Sequence, residues 1–155
     1  SGLISQTAEG TNKWITTAYT KSELLEKAYG RLKTPVDRIL YVKGTAQIEH
    51  PIASGIRALA RQSMIGVNDQ DGAIAISKKE AAKIPAEDIC TKQYFEDFGG
   101  AVIEVWSYDP IILERDGCVD DISLLLSMDN DPNERVQTCL DEIRQKHGLP
   151  IKEEE

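Results

Sequence analysis

The chain is poor in the residues that build metal sites and disulfide frameworks, with three cysteines and two histidines in 155 residues. Cys90, Cys118 and Cys139 are odd in number and share no CxxC spacing. A zinc site needs closely spaced ligand pairs, and with only His50 and His147 to add, none assembles from local spacing. Small apolar thiols in a reducing compartment are the reading that remains. No apolar run approaches the ~20 residues of a membrane helix. No segment has the charged start, apolar middle and small-residue cleavage site of a signal peptide. GxxxxGK[ST] and GxGxxG are missing, which removes the familiar phosphate cradles. GxSxG is missing too, and Ser54-Gly55 reads as part of a helix pattern rather than as an elbow between strand and helix. Basic residues are in deficit: 18 Lys and Arg face 26 Asp and Glu, for a formal net charge of −8. Nucleic-acid affinity rests on bases that neutralise phosphates and release counterions, so this chain alone is not expected to bind DNA or RNA strongly. The adjacent basic pair Lys78-Lys79 reads as decoration of a solvated helix. These absences lead to the expectation of a soluble, cytoplasmic domain without a cofactor.

What is present is enough for a folded core: 41% of residues are apolar and 28% charged, close to the globular average. Residues 3–8 and 13–18 read as two short strands around a turn in which Gly10 and Asn12 tolerate positive φ. Such a hairpin is marginal by itself and must lean on something. Thr20 and Glu23 form a capping box that opens a helix over 21–32, with Leu24, Leu25, Ala28 and Leu32 at helical spacing. A β run over 38–43 follows. Pro51 is read as the start of a second helix that carries Arg57 and Arg61 on its polar face and stops at Gly66. Residues 72–76 read as a strand, and Ser77 and Glu80 as a second capping box before a short helix.

The strongest strand is 101–108, with Ala101, Ile103 and Val105 on one face and Val102, Trp106 and Tyr108 on the other, and Glu104 between them. Apolar residues on both faces predict a central strand covered from both sides. Residues 121–128 fit either a buried strand or a helix. Pro132 is placed in the first turn of a last helix, with Val136, Leu140 and Ile143 on one face and Gly148 as the stop. Irregular interleaving of strands and helices predicts an α+β domain with a mixed sheet packed by helices.

Candidate chemistry is sparse. Residues 129–134 resemble a calcium loop only superficially, because the sixth position is Glu134 and the twelfth Leu140. Neither histidine has a nucleophile or acid suggested beside it. The acids Asp109, Glu114, Asp116, Asp120, Asp121, Asp129 and Asp131 read mainly as a solvated face, with metal-dependent hydrolysis or nucleotidyl transfer as a minor alternative. Small residues at 53, 54, 55, 58 and 60 permit close approach of another element, and Trp106 and Tyr108 are of the kind enriched at interfaces, although ordinary core packing accounts for both features and is the stronger reading for Trp106. The candidate ligand or partner surface is therefore Arg57, Arg61, Trp106, Tyr108 and Asp109.

Several stretches together resemble the C-terminal effector region of bacterial MarR-like winged-helix regulators. They are Gly2-Leu-Ile4 with Gly10 and Trp14, Leu24-Leu-Glu-Lys-Ala28, Thr34-Pro-Val36 and 53–59. Trp106-Ser-Tyr-Asp-Pro110 and 120–127 complete the set. The resemblance spans about residues 2–140 and departs from the family at Gly72-Ala-Ile-Ala-Ile76. It implies that residues 1–19 are the wing of a winged helix, with Gly10, Asn12 and Lys13 toward DNA and the helices lying upstream. Residues 20–150 would then be the regulatory or interaction domain, and 151–155 an acidic tail. The function it implies is a non-enzymatic sensor or protein-interaction domain that modulates DNA binding by the adjacent domain, through a ligand, a partner protein or a homodimer. An antitoxin-like domain that sequesters a partner protein is the alternative.

Overall fold

The computed structural model of the chain describes residues 2–9, 12–63 and 72–151. Two compact units divide it, residues 1–33 with 141–155 and residues 34–140. In the first unit, β1 (Ser5–Glu9) and β2 (Asn12–Thr16) pair antiparallel, with Ser5 opposite Thr16. Gly10 and the acidic tail at 152–155 lie outside the described residues. Helix α1 (Lys21–Tyr29) begins at the predicted capping box: the Glu23 amide donates to the Thr20 hydroxyl, and the Glu23 carboxylate accepts from the Thr20 amide at 2.8 Å. It ends three residues before the predicted stop, at Gly30.

The second unit is built on a mixed sheet of five strands in the order β4-β5-β7-β3-β6. These are β3 (Val36–Val42), β4 (Ile52–Ala53), β5 (Ala73–Ser77), β6 (Ile89–Cys90) and β7 (Ala101–Trp106). β5 and β7 run parallel; the other pairs are antiparallel. The strand of strongest β pattern is the middle strand, as its two apolar faces predict. On one face Ile103 and Val105 join Val42 and Ile76 in a buried cluster. Ala81 of α3 (Lys78–Ala81) closes it. Ile48 and Ile84 pack against its margin.

The opposite face follows from register. Ala73, Ala75 and Ser77 lie across from Val102, Glu104 and Trp106, so small side chains stand beside large ones. Helix α2 (Gly55–Gln62) packs on β5 and against α5 (Asp121–Met128), burying Ala58, Leu59, Leu124 and Leu125. The ambiguous run 121–128 is thus helical, and the reason is local: the Asp120 carboxylate caps it by accepting from the Ser123 amide at 3.0 Å. Helix α4 (Lys92–Phe98) lies over β3, where Phe95 meets Tyr41 at 5.4 Å between ring centres.

Two boundaries differ from the sequence reading. Pro51 does not start a helix; Ile52 and Ala53 form β4 on Ala75 and Ile74, and the helix begins at Gly55. Gly55 has φ +55°, a backbone that L residues reach only at a cost of about 1 kcal/mol or more, so glycine favours the turn from strand into helix. Gly66, read as the stop of this helix, lies outside the described residues. At the other end, α6 (Glu134–Lys146) starts after Pro132, because the Asn133 side chain accepts from the Arg135 amide at 3.0 Å. Val136, Leu140 and Ile143 are buried as predicted, and Gly148 ends the segment with φ +68°.

No helix among the described residues is long and apolar enough to cross a membrane. The central strand sets the stability of the second unit. Ile103→Ala, which removes a side chain with 0% exposure, is expected to cost about 3 kcal/mol in urea unfolding, whereas Arg38→Ala should change it by less than about 0.5 kcal/mol.

Candidate functional site

Glu104 is the one charged residue in β7, and it is 92% buried, with 8% exposure. Its Oε2 accepts from the Ser54 hydroxyl at 2.6 Å and from the Trp106 indole N–H at 3.0 Å. Ser54 is fully buried between β4 and α2. It occupies the N-cap position but makes no side-chain cap bond, since its hydroxyl is turned to Glu104. A side-chain carbon on Gly55 would sit 3.7 Å from Oε1 of Glu104, so the carboxyl group lies against the first residue of α2. Acceptors are favoured at that end of a helix, where the amides lack partners. Gly72, just before β5, is pressed against the backbone and Cβ of Arg57, which leaves no room for a side chain there.

The network continues outward through aromatic contact. Trp106 meets Tyr108 edge to face at 5.6 Å, and the Tyr108 hydroxyl lies 2.5 Å from that of Ser123. Burial raises the Tyr108 phenol above its ordinary value of 10.0; the bond to Ser123 opposes this and the charge of Asp120 adds to it. After Tyr108 the chain makes a 3-10 turn, Pro110–Leu113, capped by Asp109, whose carboxylate accepts from the Ile111 amide at 3.1 Å. Pro110 is buried, yet Ile111, Ile112 and Leu113 are 50%, 71% and 50% exposed.

The candidate surface residues thus have different fates. Trp106 has 0% exposure, which agrees with its core reading and not with a place on a partner surface; its indole N–H donates to Glu104. Tyr108 and Asp109 flank the exposed turn. Arg57 is half-buried with its Nε enclosed and without a hydrogen-bond partner among the described residues, while Arg61 is exposed and reaches the sulfur of Cys118 at 3.7 Å. Asn12 and Lys13 lie in β2, opposite Glu9 and Ala8.

The acidic segment is mostly engaged with backbone amides. Asp109, Glu114, Asp120 and Asp131 each accept from an amide two or three residues further on. Among the described residues no group of three His, Cys, Asp or Glu side chains could hold a metal ion. Ser54 and Glu104 form a hydroxyl–carboxyl pair, but with exposures of 0% and 8% the pair is closed to a substrate and acts as a strut.

The pair escaped sequence reasoning because its members are 50 positions apart. The available signal was a lone acid inside the apolar run of β7. Ser54 was also taken for a helix residue, whereas it stands between a strand and a helix. No family model, curated protein or solved structure matches this chain.

Two outcomes follow from this network. Glu104→Ala leaves the Ser54 hydroxyl and Trp106 N–H buried without an acceptor and should destabilise by about 3 kcal/mol; Glu104→Gln, which keeps an acceptor, should cost less than half of that in the same urea titration. The raised Tyr108 value gives a pH dependence of defined sign. Well below pH 10.0 both states keep the proton and nothing changes; as the pH approaches and passes 10.0 the unfolded phenol ionises first, so stability falls as pH rises from there through the folded value. Tyr108→Phe should flatten that alkaline slope.

Proposed function

We propose that this chain is a non-enzymatic regulatory domain that works by protein contact, and that its contact surface is the turn Pro110–Leu113 with Tyr108 beside it. The observation that carries the reading is the exposure of Ile111, Ile112 and Leu113, three consecutive large apolar residues at 50% or more. Contiguous apolar exposure of this kind marks interaction sites more often than isolated surface leucines do. The turn is held from behind by buried Pro110, by the Asp109 cap and by the Tyr108–Ser123 bond, so little ordering entropy opposes docking.

The resemblance to the effector region of MarR-like regulators supplies the partner class: the DNA-binding domain of the same regulator, within one subunit or across a homodimer. Docking there would bias DNA affinity without this acidic chain touching DNA. A cytoplasmic setting agrees with Cys90, Cys118 and Cys139 all being free. The net charge of −8 favours a second reading, an antitoxin-like domain that steers onto a basic partner protein.

The test compares wild type with Ile112→Asp in the full encoded protein, by fluorescence anisotropy on DNA from its own promoter across a salt series. Ile112 is 71% exposed, so the substitution should leave the melting temperature nearly unchanged. The regulatory reading expects DNA affinity to change by about tenfold. Unchanged affinity and unchanged oligomeric state would remove the turn from regulation, and loss of a copurifying basic partner would select the antitoxin reading.

A further inference from the structure

Away from this turn, the loop before β4 and the helix α3 enclose an open cleft of about 110 Å³. By volume it holds roughly seven to ten water-sized atoms. Ile48, Ile76 and Ile84 give it an apolar lining continuous with the buried cluster of the sheet. Its polar lining residues are Gln47, Glu49, Glu80 and Lys83, of which the last three carry charge. Lys83 reaches Glu49 at 4.0 Å, with both side chains more than half exposed, a contact too long and too wet to hold either firmly. Glu80 differs. Its amide is fixed by the Ser77 hydroxyl at 3.1 Å, it is half-buried, and its carboxylate has no hydrogen-bond or ion-pair partner among the described residues.

An apolar lining beside an unpaired carboxylate is complementary to one kind of molecule, a short alkyl chain that ends in a cation. We propose that this cleft binds a small aliphatic ammonium ion of about four to six carbons, its chain on Ile48, Ile76 and Ile84 and its ammonium on Glu80. Two carboxylates against one lysine leave the cleft negative, and the −8 charge of the chain adds attraction at long range. The volume suits a whole free amine. The site is independent of the docking turn, so its failure would leave the regulatory reading standing.

The test is amide chemical-shift titration of the full chain with n-butylammonium, n-butanol and butyrate. Nα-acetyl-lysine methylamide serves as the arm for a protein side chain. Butylammonium is expected to shift the amides of Ile76, Glu80, Lys83 and Ile84 saturably, with a Kd on the order of millimolar. Glu80→Gln should weaken it about three- to fivefold, and Lys83→Gln, which removes the competing cation, should tighten it by a similar factor. An otherwise unaltered amide spectrum shows that each variant is folded. Equal shifts with butanol, an affinity unchanged in Glu80→Gln, absence of saturable shifts, or tighter binding of the lysine derivative would each overturn the proposal.

Discussion

A carboxyl group buried in the middle of a sheet is costly unless its lone pairs are used, and the second unit is organised around meeting that requirement at Glu104. The Ser54 hydroxyl and the Trp106 indole both point at one oxygen, and the first residue of α2 lies against the other. Small Ala73 and Ala75 on the neighbouring strand make room for this group. Glycine at 55 lets the chain turn from β4 into the helix at that point, and glycine at 72 lets the helix close onto the strand. This polar contact set ties the start of α2 to the central strand, and α2 packs in turn on β5 and α5.

Trp106 links this interior to the surface. Its indole holds Glu104 and its ring meets Tyr108 edge to face, and the Tyr108 hydroxyl is tied to the first turn of α5 through Ser123. The exposed Ile111–Leu113 stretch emerges from the rigid end of that path. A surface held this way loses little freedom on binding, which is the physical basis for proposing docking there rather than at Arg61, whose guanidinium meets the sulfur of Cys118 at 3.7 Å. The acids between 109 and 131 mostly shape the backbone here. As caps they begin or end turns and helices, and the charge they carry adds to the acidic balance of the chain.

How much of this was legible depended on how local the cause was. The Thr20–Glu23 capping box involves four successive residues, and it forms as read. The two-faced pattern of 101–106 reports directly on burial, and that strand is central. Ile52-Ala53, in contrast, is a strand only because Ala75 and Ile74 lie beside it, a pairing over twenty residues away that no local pattern carries. Pro51 therefore suggested a helix that begins four residues later. The same distance hid the Ser54–Glu104 pair. Exposure of Ile111–Leu113 was equally hidden, since an apolar triplet after Asp-Pro reads the same whether it is covered or bare.

The measurement closest to the centre of this account is a double-mutant cycle on Ser54→Ala and Glu104→Ala, read by urea unfolding. If the hydroxyl–carboxyl bond ties α2 to the central strand, the two substitutions should be strongly non-additive, with a coupling of about 1.5 kcal/mol or more. Additivity within about 0.5 kcal/mol would mean that Glu104 and Ser54 are buried independently, and that apolar packing alone places the helix.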